Sequence, residues 1–109
     1  MAFVQACSTA DVEPGEAFLF DYEGQGIAIV NLDNQFFALD DRCSHDNWSL
    51  CDGYVEGEEI VCSLHMARFC VRTGEVRMPP AYEPLSVYPV KVEGTEVWVD
   101  PDGGTTADG

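Results

Sequence analysis

Cys43-Ser44-His45 and Cys62-Ser63-Leu64-His65 form two Cys/His pairs separated by sixteen residues, and these are the chain's only two histidines. Thiolates and imidazoles gathered in a small domain are metal ligands. A Cys₂His₂ set holds either one structural zinc or a [2Fe–2S] cluster in which two histidines replace two cysteines on one iron. Structural zinc favours C-x₂₋₄-C and H-x₃₋₅-H, so that each hairpin or helix presents like ligands. Here each pair is mixed, one Cys and one His. That mixture suits a two-iron rhomb gripped from both sides, with Cys43 and Cys62 on one iron and His45 and His65 on the other. A zinc-stapled β-domain acting as an interaction module is the alternative from a different class.

The elements that must carry these pairs read as short strands broken by turn residues. Residues 17–22, 25–32 and 35–39 are expected strands, with Asp33-Asn34 as a hairpin turn between the last two. Tyr54-Val55 and Ile60-Val61 flank Glu56-Gly57-Glu58 as a smaller hairpin. Residues 86–92 and 96–100 flank Glu93-Gly94-Thr95 as another, and Val97 and Val99 alternate with Glu96, Trp98 and Asp100 as in a strand with one buried face. Residues 11–15 close at most a single helical turn. The expected fold class is all-β, a small antiparallel sandwich or barrel. The Cys/His pairs fall in loops, one after the 35–39 strand and one leaving Ile60-Val61, and the small hairpin between them brings the two loops together. Pro79-Pro80 and Pro84 mark a third, rigid loop.

With 109 residues the chain has room for one domain. The expected division is a single domain over 1–101, with a cluster-binding subdomain at about 41–81, followed by a flexible tail at 102–109. Twenty acidic residues against five basic ones give a formal charge of −15. Such a surface repels phosphate backbones and anionic membranes, so nucleic acid and membrane are not expected partners. It steers the protein toward basic partners, or serves solubility alone. Residues 1–5 lack a basic stretch followed by an apolar run, and no segment reaches the length of a membrane span. A cytoplasmic location is expected, where Cys7, Cys51 and Cys70 serve as plain thiols.

The two pairs, followed by Ala67-Arg68-Phe69 and Arg72-Thr73-Gly74, resemble the Rieske [2Fe–2S] pattern, and the resemblance runs from the N-terminal strand to Val99. In detail, Asn47-Trp48-Ser49-Leu50, Asp52-Gly53-Tyr54, residues 69–74 and Val90-Lys91-Val92-Glu93-Gly94 are similar to the small ferredoxins of bacterial aromatic ring-hydroxylating dioxygenases, of the biphenyl and toluene type. One departure is Met66, where that group often has Gly. The resemblance implies the Rieske fold with two cluster-binding loops, and one [2Fe–2S] cluster on Cys43, His45, Cys62 and His65. It also implies a monomeric one-electron carrier, not itself an enzyme, between an NAD(P)H-dependent flavin ferredoxin reductase and a terminal oxygenase. The small subunit of a nitrite reductase is the alternative within electron transfer.

Respiratory members of the wider family brace the site with a disulfide between extra cysteines, at positions held here by Trp48 and Leu64. They also place Ser and Tyr hydroxyls two and four residues after the second histidine, where this chain has Ala67 and Phe69. Hydrogen bonds to sulfur raise a cluster's potential, so their lack implies the low end of the Rieske range, near about −150 mV. The resemblance puts the electron port at His45 and His65, with Trp48, Leu50, Met66 and Pro79-Pro80 as a candidate apolar collar; the alternative for Trp48 and Leu50 is that they are core residues of the loop. Asp40, Asp41 and Asp46 are candidate acidic docking contacts, and Arg42 and Arg68 candidate counter-charges.

Overall fold

The computed structural model of the chain describes residues 3–41, 49–62, 67–78 and 85–105. Strands β1 (Val4–Ser8), β2 (Ala17–Tyr22), β3 (Gln25–Leu32) and β4 (Gln35–Asp40) are followed by β5 (Tyr54–Glu56), β6 (Glu59–Val61), β7 (Arg68–Cys70) and β8 (Val76–Met78). The chain closes with β9 (Val87–Tyr88), β10 (Val90–Glu93) and β11 (Glu96–Val99). Among the described residues, helix is confined to two 3₁₀ turns, Thr9–Asp11 and Leu50–Asp52. No helix among them is long and apolar enough to cross a membrane.

The meander β2–β3–β4 is set by two local turns. Glu23 and Gly24 take φ of 51° and 89°, and Asp33 and Asn34 take 52° and 70°. These are paired positive-φ positions, as tight two-residue hairpins require. Side chains stabilise both: Asp21 Oδ1 accepts the Gly24 N–H at 2.9 Å, and Asn31 Oδ1 accepts that of Asn34 at 2.7 Å.

The strands assemble as three antiparallel sheets, ordered β1-β11-β10, β2-β3-β4-β9 and β5-β6-β7-β8. The β2–β9 sheet is the middle layer. Ile27, Ile29 and Ala38 on one face pack with Cys7, Val97 and Val99. Ala28, Val30 and Leu39 on the other pack with Leu50, Ile60, Phe69 and Val71. This explains why residues 27–32 are buried without a break: a strand covered on both faces has no polar side.

Two of the expected segments take a different form. The strand expected at 86–92 divides at Pro89. Val87–Tyr88 pairs with β4, whereas Val90–Glu93 pairs with β11. Proline has no N–H to give to a ladder, so the chain changes sheets there. The tail expected from residue 102 is docked as far as Thr105, whose N–H and carbonyl exchange hydrogen bonds of 2.9 and 2.8 Å with Val87. This covers the outer edge of β9, which would otherwise be open for pairing.

Charge is distributed unevenly. Arg68 lies 2.8 Å from Glu56, Arg72 3.0 Å from Glu58, Arg77 4.0 Å from Glu75 and Lys91 3.6 Å from Glu93. Each of these cations therefore already faces an acid of its own, and the acidic excess is left as a net surface field.

Candidate metal centre

The first Cys/His pair lies in residues 42–48, between β4 and the Leu50–Asp52 turn. Arg42, Cys43, His45, Asp46 and Trp48 are outside the described residues. What the structure describes is how the two ends of this segment are tied. The Leu50 N–H donates to the Asp41 carbonyl at 2.5 Å, the Ser49 hydroxyl to Asp41 Oδ2 at 2.5 Å and the Cys51 N–H to Asp41 Oδ1 at 2.9 Å. Asp41 in turn donates its N–H to the Gly26 carbonyl at 3.1 Å. A seven-residue segment thus leaves and re-enters the fold at a single buried aspartate.

The second pair lies in the β6–β7 hairpin. Val61 pairs with Arg68, and beyond them the Cys62 N–H donates to the Ala67 carbonyl at 2.8 Å. Residues 63–66, which include His65 and Met66, connect these ends and are outside the described residues. Cys62 itself is described and fully buried. Of the four expected ligands it is the one the structure places, at the last hydrogen-bonded position before the loop.

The ends of the two loops share one apolar floor. Leu50, which follows the first loop, and Cys62 and Ala67, which bracket the second, belong to a single buried cluster with Leu39, Phe69 and Leu85. Leu85 follows the third loop, 79–84, whose prolines are outside the described residues. It is held by Gly74, whose carbonyl accepts the Leu85 N–H at 2.8 Å. Gly74 has φ +79°, and a Cβ there would lie 2.2 Å from the Leu85 carbonyl oxygen. The position therefore needs both the conformational freedom and the missing side chain of glycine.

Several expected roles change. Leu50 is core rather than collar, being fully buried. Asp41 is buried and faces inward, so it is not a docking acid. Asp40 is partly buried, accepting the Ser86 N–H at 3.1 Å and the Tyr88 hydroxyl at 2.5 Å. The guanidinium of Arg68 is taken by Glu56 and Glu59, at 2.8 and 3.1 Å, so it compensates the β5–β6 hairpin rather than a metal centre. The tie between Asp41 and Ser49 is not among the sequence expectations. The signal was faint: an aspartate ending an apolar strand and a serine eight residues on, meaningful only once the chain doubles back.

The other thiols have their own environments. Cys7 sits in the opposite core, where burial first and Asp11 second push it up to about 11. Burial also raises Cys70, but hydrogen bonds from Thr73, Arg77 and the Thr73 and Arg72 amides outweigh it and leave the thiol lowered. Among the described residues no three metal-ligating side chains cluster, which follows from Cys62 being the only described member of the Cys/His set.

The described part fits an iron–sulfur group. A fully buried sulfur on an apolar floor, at the mouth of a closed hairpin, suits a soft, water-excluded metal–thiolate bond. Ala67 and Phe69, both fully buried, present no hydroxyl beside it.

The profile of the Rieske [2Fe-2S] domain matches residues 2–89. The biphenyl dioxygenase ferredoxin subunit of Pseudomonas sp. (strain KKS102) is 52% identical over 101 residues, covering 92% of this chain and 93% of that one. The ferredoxin of carbazole 1,9a-dioxygenase from Nocardioides aromaticivorans IC177 superposes with a TM-score of 0.87 at 34% identity, over 93% of this chain and 99% of that one. A chain from the complex of reduced oxygenase and oxidized ferredoxin in carbazole 1,9a-dioxygenase superposes with a TM-score of 0.85 at 33% identity, over 89% of this chain and 91% of that one.

Proposed function

The chain belongs to the Rieske [2Fe–2S] family, and on that premise we propose that it is a one-electron carrier serving a terminal aromatic-ring dioxygenase, supplied by an NAD(P)H-dependent flavin ferredoxin reductase. It is an electron-transfer component rather than an enzyme. When bound, the cluster stores and releases one electron. Cys43 and Cys62 hold one iron in this reading, and His45 and His65 hold the other. The carrying observation is the shared floor of Leu50, Cys62 and Ala67, from which both loops start or end. The likeness to the Pseudomonas ferredoxin, and to a chain from an oxygenase–ferredoxin complex, supports the oxygenase as partner.

The chain's own residues act by shielding and by tuning. Buried Leu50, Ala67 and Phe69 exclude water from the sulfur side, and the absence of hydroxyls at 67 and 69 holds the potential low, near about −150 mV. That level suits a carrier accepting electrons from a reduced flavin. The carrier works as a monomer in this reading: among the described residues the exposed large apolar side chains are Leu19, Tyr54 and Val92, one each on β2, β5 and β10. A cytoplasmic location accords with Cys7 and Cys70 standing as thiols.

Reconstitution with candidate reductases and oxygenases tests the role, with substrate turnover followed with and without this protein. Turnover that does not depend on it would remove the assignment. For the ligands, His65→Ala is expected to abolish or severely destabilise the cluster, and a normal Rieske electron-paramagnetic signal in that variant would refute the set. A colourless protein carrying one zinc per chain would refute the cluster itself.

A further inference from the structure

We propose that Asp41 is a positioning residue for the cluster: its carboxylate clasps both ends of the 42–48 loop and so fixes where Cys43 and His45 are presented. This rests on the reading that the loop carries two of the ligands. Asp41 is only 4% exposed. A carboxylate withdrawn from water is costly unless its oxygens are hydrogen-bonded, and both oxygens here are used by the same returning segment. Oδ2 accepts from the Ser49 hydroxyl and Oδ1 from the Cys51 amide, while the Asp41 carbonyl accepts from Leu50. Three successive residues after the loop therefore report to the one residue before it.

The clasp is anchored in the rigid part of the fold. The Asp41 N–H bonds to Gly26 on β3, the strand covered on both faces, and a Cβ at Gly26 would lie 3.4 Å from the Asp41 Cβ. Asp40, its neighbour, points to the other face and holds Ser86 and Tyr88. The roles of the two acids are therefore distinct. Ligands held by a pre-formed loop retain metal better than ligands that must be gathered from a loose one.

Asp41→Ala removes both side-chain acceptors. Asp41→Asn retains an oxygen for the Cys51 amide and offers its NH₂ to the Ser49 oxygen, restoring the clasp without the charge. Ser49→Ala removes one of the two donors. The purified holoprotein is first checked for a Rieske paramagnetic signal; its absence would defeat the functional reading rather than this inference. Given the signal, release of the cluster to a chelator is timed and the reduced spectrum recorded for each variant. Asp41→Ala is expected to release the cluster on the order of tenfold faster, with altered g-values, and Asp41→Asn to return both toward wild type. Wild-type release and spectrum in Asp41→Ala would overturn the proposal. So would a lowered melting temperature with both unmoved, or failure of Asp41→Asn to rescue. If Asp41→Ala does not fold, Ser49→Ala is expected to speed release several-fold, and an unchanged rate there overturns the proposal.

Discussion

Removing a single oxygen from Tyr88 tests the electrostatics that tie the strands beside the loops. The hydroxyl donates to Asp40 Oδ1 at 2.5 Å and accepts from Gln25 Nε2 at 3.1 Å. Burial first, and the Asp40 carboxylate second, raise it from 10.0 to about 12, against a smaller opposing effect of Gln25. Tyr88→Phe keeps the ring and deletes the bond to a charged acceptor, which is worth about 1.5–3 kcal/mol when dry. The residue is only partly buried, so about 1–2 kcal/mol is expected at pH 8. A raised pKa in the fold means that folding favours the protonated phenol. The contribution is therefore complete below pH 10 and is lost as pH climbs through about 12. Two units correspond to at most about 2.7 kcal/mol, which solvent screening reduces to the same range of about 1–2 kcal/mol.

Wild type and Tyr88→Phe should thus differ at pH 8 and converge by about pH 12. Cys7, raised from 9.0 to about 11 by burial and Asp11, loses its own contribution across that window in both proteins, so it cancels in the difference. Urea unfolding followed by circular dichroism at steps of pH measures the gap. No gap at pH 8, or one that persists undiminished at high pH, would refute the reasoning.

Two further outcomes are expected. Gly74→Ala forces a side chain into φ +79° and within 2.2 Å of the Leu85 carbonyl, costing at least about 1–2 kcal/mol and lowering the thermal midpoint by several degrees; an unchanged midpoint contradicts the close approach. A redox titration should give a midpoint near about −150 mV, and a value clearly above zero would show that the lack of hydroxyls at Ala67 and Phe69 does not govern the potential.

Much of the scaffold could be read locally. The β2–β3–β4 meander was legible because its turns are short-range chemistry: Asp33-Asn34 prefers positive φ, and the flanking residues are apolar runs. β7 and β8 were not legible, since three residues carry no period and each strand exists only by pairing with its neighbour. β1 was likewise obscured by a register shift between Gln5 and Cys7. The division at Pro89 was written in the sequence as a proline, but which sheet each half joins depends on partners far along the chain.

The proposed ligand set is read from covalent spacing. Cys43, His45, Cys62 and His65 stand out because mixed thiolate and imidazole pairs are meaningful before any fold exists, and the sequence alone led from them to the Rieske family. Side-chain direction is a different matter. Asp40 and Asp41 are the same residue type at adjacent positions, and nothing local says that one turns to Tyr88 and the other to the loop ends at Ser49 and Cys51. Leu50 is equally apolar as a collar or as a floor. The pairing of β4 with β9 sets Tyr88 beside Asp40, and packing of the β5–β8 sheet on the middle layer buries Leu50, because a strand's alternation assigns faces and the opposing layer determines which face is buried.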